Sequence, residues 1–158
     1  MPSLSPMNHV DLLLESVAPS KRLKSCGSYK PHKVILLLAS LDLVRCTPMW
    51  DGILKPDARL EQRFRLYFSL VQGSTDRVQM ANPFIHLRNS EFWELVPRPG
   101  VELESLSKLR TGFTSVLHKS VSHAVISSPM FEIWSNEATN LDCSLRLMQV
   151  LKEEINRT

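Results

Sequence analysis

The feature that most constrains the fold is an apolar run at residues 34–44, which only Ser40 and Asp42 interrupt. Pro31 stands just before it, and proline is favoured in a first helical turn, where its missing N–H loses no bond. The run therefore predicts a helix over residues 31–45 that is buried on nearly all sides. It falls well short of the roughly 20 residues of a membrane span. A chain of 158 residues with 43% hydrophobic content can build one core around such a helix.

Apolar spacing along the rest of the chain predicts a mostly helical α+β fold. Helices are expected at residues 8–15, after Pro56, and at residues 142–155, the last with Leu145, Met148, Leu151 and Ile155 on one face. Residues 83–87 and 92–96 predict a small antiparallel hairpin or sheet, while residues 113–125 fit either helix or strand. We expect one compact domain, in which residues 1–27 form an N-terminal helix and a basic loop and residues 28–155 form the main body.

The charges are distributed unevenly along the chain. The net charge is +3, but residues 1–90 carry twelve Lys and Arg against seven Asp and Glu, whereas residues 91–158 carry seven against nine. This asymmetry predicts a basic face suited to a polyanion. Three cysteines at no metal-like spacing, and the lack of a secretory signal at the N-terminus, indicate a cytoplasmic protein with reduced thiols.

Catalytic motifs are not found. The sequence has no glycine-rich phosphate loop, nucleophile elbow or zinc motif. His118 and His123 are five residues apart, so on a helix they would point about 140° apart and could not share a metal. Asp57 and Glu61 only faintly suggest a nuclease carboxylate cluster, and a capping aspartate is the better interpretation. We expect a chain without catalysis, metal or cofactor.

Three stretches in order carry a specific resemblance. They read YKPHKVILLLASLDL at residues 29–43, NPFIHLRNSEFWEL at 82–95 and LRTGF at 109–113. Together they resemble the sulfur-binding domain that precedes the HNH nuclease domain in modification-dependent (type IV) restriction endonucleases, over roughly residues 28–155. The resemblance implies a small, mostly helical domain that reads a DNA backbone in which sulfur replaces one non-bridging phosphate oxygen. Cutting would belong to a separate HNH domain.

The same resemblance implies which residues hold the sulfur. Sulfur accepts hydrogen bonds poorly but sits on an anionic group, so its site needs an apolar cup beside positive charge. By resemblance Pro83 and the stem of Arg110 form that cup, with Thr111 adjacent. The family commonly has an aromatic residue before this proline, and Asn82 stands there instead. Either Phe84 or Tyr29 closes the cup, or sulfur selectivity is weaker.

Backbone contacts are expected around this cup. His32 and Lys33 occupy the second and third positions of a helix opened by Pro31, where free N–H groups favour an anion. We expect Arg88 in the hairpin turn, facing DNA, and Trp93 in the core. A further set of basic residues is interpreted as backbone contacts or as a solvated loop: Lys21, Arg22, Lys24 and Lys30.

Three functions remain open on this reasoning. The first is a reader of phosphorothioate in double-stranded DNA, with no membrane partner and an undetermined oligomeric state. The second is a DNA-binding module without sulfur selectivity. The third is a protein-interaction module of a defence system, in which the apolar hairpin contacts the partner.

Overall fold

The computed structural model of the chain describes residues 6–16, 24–25, 28–29, 31–71, 79–102, 104 and 114–156. The elements are α1 (Pro6–Ser16), β1 (Lys24–Ser25), β2 (Ser28–Tyr29), α2 (His32–Arg45), β3 (Ile53–Leu54), α3 (Ala58–Phe68), α4 (Ala81–His86), a short 3-10 helix (Leu87–Asn89), β4 (Trp93–Pro97), α5 (Thr114–Ser120), β5 (Val121–Ile126), α6 (Ser128–Ser135) and α7 (Glu137–Asn156). This is a mostly helical α+β domain, as the sequence predicts.

The centre of the fold is α2. Eleven of its fourteen residues are buried, and α3, α4, α6 and α7 all pack against it. Pro31 is the N-cap rather than the first helical residue, and its carbonyl accepts a hydrogen bond from the N–H of Ile35 at 3.0 Å. The prediction of a helix buried on nearly all sides is confirmed.

The described residues form a three-stranded antiparallel sheet in the order β3-β5-β4. Leu54 pairs with Ala124 on one side of β5, and Leu95 pairs with Ala124 on the other. The segment that fits either helix or strand in the sequence is both, because α5 ends at Ser120 and β5 begins at the next residue. The short strands β1 and β2 pair with each other in a separate antiparallel sheet.

The predicted hairpin of residues 83–87 and 92–96 is wrong in its first half. Residues 83–86 belong to α4, and only the second run forms a strand, which pairs with β5. Pro83 is the third residue of α4, where a missing N–H loses no bond because the first N–H groups of a helix have no partner within it. The burial pattern then follows the helical period rather than alternating, as a strand would require.

The helix that follows Pro56 begins at Ala58. The side chain of Asp57 caps it, since its Oδ1 accepts a hydrogen bond from the N–H of Leu60 at 3.2 Å. The capping interpretation of this aspartate is therefore confirmed. The helix is amphipathic as predicted, with Phe64 and Phe68 buried against the core.

The closing helix begins earlier than predicted; Leu151 is buried and Met148 packs against the core as expected, but Leu145 does not. Its start at Glu137 is capped by Asn136, whose Oδ1 accepts hydrogen bonds from two backbone N–H groups of the first turn. Leu145, expected in the core, is 69% exposed, whereas Asn140 is buried. Polar contacts hold the side next to Leu145 inward, because Arg45 Nη1 donates to Asn140 Oδ1 at 2.6 Å and to Ser144 Oγ at 2.7 Å.

Candidate nucleic-acid interface

The first turn of α2 carries His32 and Lys33, as its first and second residues. His32 is only 7% exposed, and its ring packs against Phe68 at 5.2 Å and Phe64 at 6.5 Å between centroids. Helix α3 thus covers the imidazole that the sequence predicted as an anion contact. Lys33 is half-buried at the surface end of the same turn. Of the two predicted anion contacts, Lys33 is the one with solvent access.

The second element of the surface is α4 with the 3-10 helix that continues it. Asn82 is half-buried, and His86 and Asn89 are exposed. Spacings of four and three place these three on one outward face, as helical geometry requires. Pro83, next to Asn82 in the same helix, is buried. The backbone N–H of Asn82 donates to Gln79 Oε1 at 3.0 Å.

Basic groups from both elements converge on His86. Partial burial, and then the charges of Lys33 and Arg88, lower the pKa of His86 below its ordinary value of 6.5. Arg88 belongs to the 3-10 helix and is half-buried, not in a hairpin turn. We call Lys33, His86 and Arg88 the basic surface. It joins the first two motifs of the sequence, which are about fifty residues apart.

Trp93 holds α4 in place beneath this surface. Its Nε1–H donates to the carbonyl of Phe84 at 2.9 Å, and the two rings meet edge to face with 5.1 Å between centroids. Trp93 is 1% exposed and Phe84 is fully buried. The core role predicted for Trp93 is confirmed. The strand β4 thus fixes the helix that carries His86.

The basic surface borders a cleft of about 470 Å³. Lys33 lines the cleft together with Glu15 and Glu91, and Phe92 and Met130 contribute apolar atoms. The cleft is therefore of mixed charge, in contrast to the face of α4. Residues 77–90, which include α4 and the 3-10 helix, contain no carboxylate.

The other predicted site residues either belong to another element or lie outside the described residues. Tyr29 lies in β2, where its backbone pairs with Lys24. The predicted sulfur contacts Arg110 and Thr111 lie outside the described residues, as do Lys21, Arg22 and Lys30. The sulfur cup formed by Pro83 and Arg110 therefore stays a prediction.

Sequence reasoning missed His86. The residue stands in the second motif, but a strand interpretation of residues 83–87 gave it no particular partner. A helical interpretation would have aligned it with Asn82 and Asn89 at spacings of four and three. Pro83 near a helix start was the signal that could have supported that choice.

Over the described part of the chain, no group of three or more His, Cys, Asp and Glu side chains is placed to hold a metal ion. Among those same residues, none of the helices combines the length and apolar character that a membrane span requires. A scan against protein-family models gives no match to this chain, and a search of curated proteins gives none either.

Proposed function

We propose that this chain binds the backbone of double-stranded DNA at the basic surface, as a reader of phosphorothioate linkages. One observation carries the DNA part of the proposal. Lys33 and Arg88 come from two separate motifs, and both lie close enough to His86 to lower its pKa. Basic side chains gathered at one surface attract an anion such as a DNA phosphate.

The direction of α2 adds to this argument. Lys33 occupies its first turn, where the helix dipole already places positive potential. A cation at this end is unfavourable for the helix, whereas a phosphate near it is favourable. The position is therefore better suited to ligand binding than to stabilising the helix.

The sulfur part of the proposal rests on the resemblance. Pro83 shares the short helix α4 with Asn82 and His86, so a linkage bound at the basic surface would lie near the motif that the family uses for sulfur. Replacing oxygen by sulfur keeps the negative charge, so the basic surface would serve both kinds of linkage. Selectivity would come from the apolar contacts of Pro83 and Arg110.

The protein-interaction alternative has less support. It requires the apolar segments around residues 83–96 to be available to a partner. Every large apolar side chain of α4 and its 3-10 extension is buried, and so are Phe92, Trp93 and Leu95. These residues form the core of the domain.

Paired dissociation constants test the proposal, measured at fixed salt with two duplexes that differ in a single sulfur atom. We expect Lys33→Ala and Arg88→Ala each to weaken binding to both duplexes by about tenfold, because each removes a backbone contact. Lys152→Ala, which removes an exposed charge on α7, is the matched control and should bind like wild type. Arg110→Ala should reduce the preference for sulfur.

Two results would count against the proposal. Equal losses of affinity in the Lys33, Arg88 and Lys152 variants would show that binding depends only on net charge. The basic surface would then not be the DNA-binding site. A wild-type protein with equal affinity for both duplexes would reduce the function to DNA binding without sulfur selectivity.

A further inference from the structure

His86 is the last residue of α4 and lies on the outward face between Asn82 and Asn89. It is exposed, while Pro83, Phe84 and Ile85 beside it in sequence are buried. The residue is therefore held on a short, well-anchored helix with its side chain available to a ligand. The resemblance to sulfur-binding domains, as described above, assigned no role to this position.

Three elements next to His86 carry titratable or charged groups. Lys33 comes from α2 and Arg88 from the 3-10 helix, and both disfavour a positive charge on the imidazole. Helix α5 also packs against α4, and its titratable groups, His118 and Lys119, are exposed. The nearest carboxylate along the chain is Glu91, which lines the neighbouring cleft with Lys33.

We propose that His86 contacts a backbone phosphate and takes up a proton when DNA binds, so that affinity rises as the pH falls. This inference rests on the proposed DNA binding at the same surface. The resemblance assigns neither a phosphate contact nor a proton linkage to this residue.

The direction of the effect follows from the charges. In the free protein, partial burial and the two neighbouring cations lower the pKa of His86 and so disfavour the imidazolium. A phosphate beside the ring favours the imidazolium, so the pKa of His86 is higher in the complex than in the free protein. Affinity therefore increases as the pH falls through the bound-state pKa and levels off below the free-state pKa.

The test is a series of dissociation constants for the full chain with an unmodified duplex, from about pH 8 to about pH 5 at fixed ionic strength. An opposite charge within reach shifts a pKa by one unit or more, so wild-type affinity should rise by roughly tenfold across the series. Circular dichroism at each pH verifies that the protein stays folded.

Three variants make the assignment specific. His86→Gln should lose the pH dependence, and His86→Lys should bind tightly at every pH because its charge is permanent. His118→Gln removes another exposed histidine, on α5, and should keep the wild-type pH dependence.

Each contrary outcome has a distinct meaning. Wild-type binding that does not change with pH, or a pH dependence that survives in His86→Gln, would overturn the role of His86 but leave DNA binding intact. Loss of the pH dependence in His118→Gln would assign the proton uptake to His118 and would also overturn the role of His86. The absence of binding at every pH would overturn the proposed function as well.

Discussion

The two ends of α2 arrange their charges in opposite ways. At the C-terminal end, the carboxylate of Asp42 accepts hydrogen bonds from Arg45 and Arg63, each at 3.1 Å. At the N-terminal end, Lys33 and Arg88 lie near His86, and all three are basic. The first arrangement is attractive and stabilises the fold, whereas the second gathers basic side chains at the surface where we propose that DNA binds. Charge sign thus separates a structural network from a candidate binding surface.

The structural network extends beyond the ion pairs. Arg45 also donates to Asn140 and Ser144 on α7, and Arg63 Nη1 donates to the carbonyl of Arg59. Burial, and then the charge of Asp42, raises the pKa of Tyr67 next to these groups. The network joins α2, α3 and α7 through polar contacts within the protein, so its role is structural.

The largest effect is expected from Asp42→Ala. This change leaves two partly buried arginines without the carboxylate that they share, and it should lower the free energy of unfolding by about 2–3 kcal/mol. Urea denaturation measures the loss. The control is Asp142→Ala, which breaks a surface pair with Arg146 and should cost no more than about 0.5 kcal/mol. Similar losses in the two variants would contradict the structural role of the network.

His32→Ala separates packing from binding at the N-terminal end. Its ring lies between α2 and α3 against Phe64 and Phe68, so truncation should lower the free energy of unfolding by about 2 kcal/mol. Lys33→Ala, one residue later, should change it by no more than about 0.5 kcal/mol. Unfolding curves of the two variants provide the comparison. A His32→Ala protein as stable as wild type would contradict this packing role.

A pair of tryptophans gives the smallest expected difference. Trp93 Nε1 donates to Phe84 beneath the basic surface, whereas the buried Nε1 of Trp134, which lies near the other end of α2, has no hydrogen-bond partner. Trp93→Phe should therefore be about 1 kcal/mol more destabilising than Trp134→Phe, since only the first leaves an acceptor unpaired. The two midpoints in urea measure this. Equal losses would indicate that the hydrogen bond of Trp93 does not hold α4.

Local sequence signals were enough for the elements that depend on nearby residues. The apolar run after Pro31 identified α2, and Asp57 was interpreted as a cap because it precedes an amphipathic stretch. Residues 83–87 could not be assigned in this way, since a short apolar run has the same composition in a buried helix and in a strand.

The burial or exposure of side chains that depends on distant residues could not be predicted from the sequence. Leu145 faces solvent because Arg45 reaches Asn140 and Ser144 from nearly a hundred positions away. His32 is buried because the aromatic residues of α3 fold over it. The convergence of Lys33 and Arg88 could not be predicted either, because it is the packing of α4 on α2 that brings the two motifs together.

The most direct test of the basic surface is the salt dependence of DNA binding. Each phosphate contact made by a lysine or arginine adds about 0.9 to the slope of log affinity against log salt concentration. The double variant Lys33→Ala, Arg88→Ala should therefore lower the slope by about 2. A control double variant, Arg65→Ala with Lys152→Ala, removes the same charge from exposed positions on α3 and α7 and should keep the wild-type slope. Equal slopes in the two double variants would contradict the account.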